Sequence, residues 1–87
     1  MNQGEENIKV ALKQFIHESI LDSQFQLSYE TSFQEMGIDS LSLVELILFL
    51  ERKFKLTIPE EHLVPENFES INSLAACAHS LLLKQNM

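Results

Sequence analysis

The most apolar run of the chain extends from Leu41 to Phe54, and its apolar residues fall on two faces of a helix. Leu43, Leu46, Ile47, Leu50 and Phe54 recur at spacings of three and four, the mark of one buried face. Leu41, Val44 and Leu48 make a second stripe. One stripe is enough to seat a helix on a small core. The second must either be buried too or serve as a docking surface. The run follows Gly37-Ile38-Asp39-Ser40, where Gly37 suits a turn with positive φ. Ser40 stands where the helix is due to start, and a serine there ordinarily lends its oxygen to a free backbone N–H.

The same periodicity marks two more helices. Over residues 5–21, Ile8, Leu12, Phe15, Ile16 and Ile20 share a face that Ala11 widens, and Glu5 and Glu6 suit the positive end of the dipole. Lys9 and Lys13 lie on a polar face of that helix, where solvent is their expected surrounding. Over residues 71–84, after a capping Ser70, the stripe is Ile71, Leu74, Ala75, Ala78, Leu81 and Leu82, with Lys84 near the negative end. The connection over residues 22–39 is long. Phe25, Leu27 and Tyr29 alternate with Gln26 and Ser28, a strand pattern with no partner strand, so an extended segment pinned by its apolar side chains is expected. One helical turn fits residues 31–37, capped by Thr31 or Ser32 and ended by Gly37. Thr57-Ile58-Pro59-Glu60-Glu61 reads as a turn entering a short helix, and residues 65–68 as another turn. The sum is an all-α, small four-helix bundle, three helices long and one short, with a long loop between the first two.

The chain has 87 residues, enough for one domain over 1–87 and one small core. Thirteen acids against six bases give a formal charge of −7. That argues against nucleic acid and against an anionic membrane surface. Cys77 has no second cysteine to pair with, which fits a reducing cytoplasm, and it is expected to pack as a small, partly buried hydrophobe. No apolar run reaches membrane-spanning length, and residues 1–6 lack the basic and apolar regions of a signal peptide. His17, His62 and His79 have no partner at metal-ligand spacing, so no metal is expected. Ser40 sits in no Gly-x-Ser-x-Gly elbow, and no acid–base constellation accompanies it, so the chain is not expected to be an enzyme.

Gly37-Ile38-Asp39-Ser40-Leu41, then Val44-Glu45-Leu46 and an apolar helix, resembles the attachment motif of the acyl and peptidyl carrier proteins. The resemblance continues through Leu50-Glu51, Phe54 and Ile58-Pro59, and covers about residues 33–82. It implies that Ser40 receives phosphopantetheine from coenzyme A, and that an acyl or aminoacyl group rides on that arm as a thioester. A serine hydroxyl needs activation, which the resemblance assigns to a separate phosphopantetheinyl transferase and its metal ion. Asp39 is then a contact for that transferase and its metal; otherwise it is a second cap for the helix. Leu41, Val44, Glu45 and Leu48 are the expected partner-binding residues. The partners implied are the transferase, an ATP-dependent ligase or an acyltransferase that loads the arm, and downstream condensing or tailoring enzymes.

One departure stands out. Carriers of fatty acid synthesis usually have a strongly acidic second long helix. Here Glu45 and Glu51 are balanced by Arg52 and Lys53, and Ser42 stands where an acid is common. Charge steering by this helix is therefore weak, which resembles the carriers of amino-acid and polyketide assembly lines. A freestanding, monomeric carrier is the expectation. A carrier of fatty acid synthesis, or an unmodified bundle that binds a partner through its outer stripe, is the alternative.

Overall fold

The computed structural model describes residues 4–19 and 28–85. Four α-helices follow in order: α1 (Glu5–Ser19), α2 (Phe33–Met36), α3 (Ser40–Phe54) and α4 (Ile71–Gln85). Two 3-10 turns, Glu60–His62 and Pro65–Phe68, lie between α3 and α4. The all-α bundle is therefore as the periodicity predicts; the short helix expected after Pro59 is only the 3-10 turn Glu60–His62, and the further turn expected at residues 65–68 is the second 3-10 turn. No strand occurs among the described residues; one isolated antiparallel bridge joins Ser32 to Ser70.

The core is built from the predicted stripes. Ile8, Leu12 and Ile16 of α1, Leu46 and Leu50 of α3, and Ile71, Leu74, Ala75 and Ala78 of α4 are wholly buried. α1 packs along both α3 and α4, and the second 3-10 turn leans on α4. The face of α3 is narrower than its sequence suggests. Leu43 and Ile47 are only half-buried. Phe49, outside the predicted stripe, stacks on Phe15 of α1 with ring centroids 4.4 Å apart, a contact favourable beyond its buried area.

Local signals set the element ends. Ser32 and Glu35 form a reciprocal capping box: Ser32 Oγ accepts from the Glu35 N–H at 3.0 Å, and Glu35 Oε1 accepts from the Ser32 N–H at 3.3 Å. Gly37 ends α2 in the left-handed region at φ 83°. α3 closes on Lys55, also left-handed at φ 56°. The chain is then tied back to α3 where Glu51 Oε2 accepts the Ile58 N–H at 2.9 Å. Of the connection before α2, Tyr29 is half-buried against the core, while Phe25 and Leu27, like Ile20 and the end predicted for the first helix, lie outside the described residues. Lys9 and Lys13 are not simply solvated. Their ammonium groups stand 5.8 and 5.7 Å from the centre of the Tyr29 ring, within cation–π reach.

Candidate functional site

The start of α3 is where sequence and structure part in an informative way. Ser40 is not the cap. Asp39 takes that position, with extended backbone (φ −91°, ψ −177°), and its Oδ1 accepts the Ser42 N–H at 2.9 Å. Ser40 is the first helical residue, with its side chain exposed. The reading of Ser40 as a sufficient cap, with Asp39 merely second, is corrected: Asp39 does the capping and Ser40 is left unused by the fold. Acceptance of the Ser42 N–H also holds the Asp39 carboxyl below its ordinary pKa, so it is ionised at neutral pH. The turn ahead is open, since nothing lies within 4 Å of where a Cβ on Gly37 would stand.

The second stripe of α3 is a surface. Leu41 is 70% exposed, Val44 48% and Leu48 47%. With the exposed Glu45, they follow i, i+3, i+4, i+7 spacing from Leu41, so the four predicted partner residues share one face running away from Ser40. Asp39 and Ser40 sit at its head. No site for a metal exists among the described residues in the form of three or more clustered His, Cys, Asp or Glu.

Beside the same helix start opens a groove of about 700 Å³. Ile38 and Leu43, which flank Ser40 in the chain, line it, together with Leu63, Val64 and Phe68 from the 3-10 turns. Sequence reasoning missed it. Leu63 and Val64 carry no helical or strand periodicity, and their exposure follows only from how the two turns pack. A weak signal was present in two adjacent apolar residues before Pro65, between turns with no other apolar run.

These residues fit phosphopantetheine. An uncommitted, exposed hydroxyl stands on the first turn of a 15-residue helix, where the dipole favours a phosphodiester, although the Asp39 carboxylate opposes it locally.

Comparison with known proteins agrees. Residues 10–78 match the phosphopantetheine attachment site family. Over 72 residues, 82% of this chain and 89% of the relative, the chain is 31% identical to an acyl carrier protein of Exiguobacterium sibiricum. It is 40% identical over 40 residues to aminoacyl carrier protein 1 of Bradyrhizobium diazoefficiens, 46% of this chain and 44% of that one. The chain spans about half the length of the Bradyrhizobium relatives it matches. Among solved structures it resembles a chain in the crystal structure of Bradyrhizobium japonicum glycine:[carrier protein] ligase complexed with glycylated carrier protein. That likeness has a TM-score of 0.68 and 26% identity, and covers 84% of this chain and 96% of that one. The same ligase with its cognate carrier protein and an analogue of glycyl adenylate gives a TM-score of 0.71 at 25% identity, over 87% of this chain and 96% of that one. The match over residues 10–78, with 31% identity over 82% of this chain and 89% of the Exiguobacterium relative, makes this chain, a small helical bundle with an exposed serine at the head of an apolar helix, a member of the phosphopantetheine-bearing carrier protein family.

Proposed function

We propose that Ser40 is the attachment residue and that the arm carries an amino acid or another small carboxylic acid, loaded by a separate ATP-dependent ligase. The observation that carries this reading is the release of Ser40 from capping by Asp39, at the head of the exposed Leu41–Val44–Leu48 stripe. The chain contributes presentation: a hydroxyl in solvent, an ionised carboxylate one residue away, and an apolar face for a partner to grip. Asp39 contacts the transferase and its metal, and Leu41, Val44, Glu45 and Leu48 receive the transferase and the ligase. The bound arm supplies a thiol, on which cargo is held as a thioester.

Three findings support the small cargo. α3 has no net formal charge, with Glu45 and Glu51 against Arg52 and Lys53. Aminoacyl carrier proteins are among the relatives, and the similar solved structures pair a carrier with a glycine ligase. The test is incubation with a promiscuous phosphopantetheinyl transferase, coenzyme A and Mg²⁺, read by intact mass. One phosphopantetheinyl addition is expected on the natural chain and none on Ser40→Ala. No addition under several transferases would leave only an unmodified binding module. Efficient charging and elongation by a fatty acid synthase set, with no amino-acid ligase accepted, would instead assign the carrier to fatty acid synthesis.

A further inference from the structure

The outer stripe of α3 has two flanks. On one lies the groove lined by Leu43 and the 3-10 turns. On the other, between α1 and α3, lies a cleft of about 240 Å³. Its apolar lining is Ala11 and the stacked rings of Phe15 and Phe49. Its polar lining is Gln14, Glu18 and Lys53, all three exposed. Glu18 comes from α1 and Lys53 from α3, so the two helices bring opposite charges to one cleft. No ion pair among the described residues joins them. Glu18 Oε2 accepts instead from Gln14 Nε2 at 3.4 Å, within α1. Lys53 also suits the negative end of the α3 dipole, but Arg52 in the same turn meets that need as well.

The cleft is continuous with the outer stripe. At about 100° per residue, Phe49 and Lys53 stand about 80° and about 120° round α3 from Leu41. The exposed Glu45 and Arg52 stand between. A partner lying on Leu41, Val44 and Leu48 therefore reaches the cleft without crossing any other element. At about 240 Å³ the cleft is smaller than sites for small ligands, which run from about 300 to about 1,000 Å³. It suits one protruding side chain of a partner rather than a cargo or a cofactor. Lys53 lies 13 positions after Ser40 in the sequence, about 20 Å along the helix axis. That distance separates the two partners proposed above. The transferase acts on the Ser40 hydroxyl itself, so its active site must enclose the head of α3. The ligase acts on the sulfur at the far end of the arm, so its grip on the bundle has to come from surface away from the serine.

We infer that the loading ligase docks across α1 as well as α3, seating an apolar side chain in this cleft, with a basic group against Glu18 and an acidic group against Lys53. The inference rests on the loading of the arm by a separate ligase proposed above, and adds α1 to the surface that ligase reads. Opposite charges held apart at an apolar cleft complement a partner that carries the reverse pair, and they disfavour a partner with one sign alone. Both side chains are exposed, so each contact is a modest one at the edge of the interface. Reversing one charge should raise the KM of the ligase for the carrier about three- to tenfold, the scale of exposed charge pairs. The kcat should not change, because the chemistry takes place on the arm.

The experiment uses the full chain and the glycine ligase of the similar solved structures as the probe. The arm is first added by a promiscuous transferase and the mass is read; a missing addition brings down the carrier reading itself. The natural chain is then charged with glycine and ATP, and failure here removes the ligase reading on which the inference rests. With charging in hand, KM and kcat are measured for Glu18→Lys, Lys53→Glu, the two combined, and Gln14→Trp, which plugs the mouth of the cleft. Each single variant should raise KM with kcat and melting temperature unchanged, and the combined reversal should be the poorest substrate. Transfer to Ser40 by the promiscuous transferase should be the same for all. A KM equal to that of the natural chain in every variant would overturn the inference. Recovery of the natural KM by the combined reversal would overturn it too, since Glu18 and Lys53 would then act on each other across the cleft and not on a partner. Equal slowing of the transferase would take the cleft away from the ligase. Sedimentation that shows a dimer of the natural chain, lost in Lys53→Glu, would give the cleft to a second copy and overturn the assignment.

Discussion

A serine stands at the start of two helices of this carrier, before the first residue of α4 and as the first residue of α3, and the two serines have opposite uses. At the head of α4, Ser70 is buried and its Oγ accepts the Ser73 N–H at 3.3 Å; the next residue, Ile71, is wholly buried. At the head of α3, the neighbouring Asp39 supplies the cap, Ser40 is exposed, and the next residue, Leu41, is 70% exposed. In the first case the serine completes the helix and the helix completes the core. In the second the fold has transferred the capping task to another side chain, so the hydroxyl can be modified without loss of the helix start. A serine is available for chemistry when something else does its structural work.

The sharpest break of this comparison comes from the residue after each serine. Ile71→Ala removes a buried side chain and should cost about 2–5 kcal/mol, a large fraction of what holds a small domain together. Leu41→Ser should leave melting within about 0.5 kcal/mol of the natural chain. Leu41→Ser and Val44→Ser should nevertheless slow modification at Ser40, because exposed apolar anchors carry much of an interface's energy. Thermal melts run beside transfer rates decide this: equal losses of stability at 41 and 71 would make the outer stripe a second core face.

The serines themselves should differ by less. Ser70→Ala removes a cap and should destabilise by about 1 kcal/mol. Ser40→Ala, which removes no cap, should melt close to the natural chain while abolishing modification. A destabilisation by Ser40→Ala equal to that of Ser70→Ala would contradict the division of labour at α3.

The smallest effect is a pH dependence at Asp39. Its carboxyl is held below the ordinary pKa chiefly by the Ser42 N–H. A depressed folded-state pKa means stability that is present above the unfolded value, near 4, and lost as pH falls through the folded value. The melting advantage of the natural chain over Asp39→Asn, which can still cap, should therefore be present at neutral pH and fade in acid. An advantage independent of pH down to about 2 would show that charge at this cap contributes nothing.

Much of the molecule was legible because the governing signals are local. The bounds of α3, the Gly37 stop, the Ser70 cap and the buried stripe of α4 each follow from residues within a turn or two of one another. The choice between Asp39 and Ser40 as cap was not legible. Both side chains can cap, they are adjacent, and only the extended backbone at Asp39 decides it. The place of Lys9 and Lys13 against Tyr29 is a contact between residues far apart in the chain, which no local pattern announces. The groove depends on pairing residues near 30 with residues near 70, which no periodicity announces.

Cys77 lies on α4 at 8% exposure, and burial pushes its thiol pKa up. A carrier of this family works through a sulfur on its arm, and a second reactive sulfur on the same molecule could intercept the cargo by thioester exchange or trap the arm as an intramolecular disulfide. Both reactions need an accessible thiolate. By packing its own sulfur against the core, where it is protonated and out of reach, the protein leaves the arm as the one nucleophilic sulfur its partners meet.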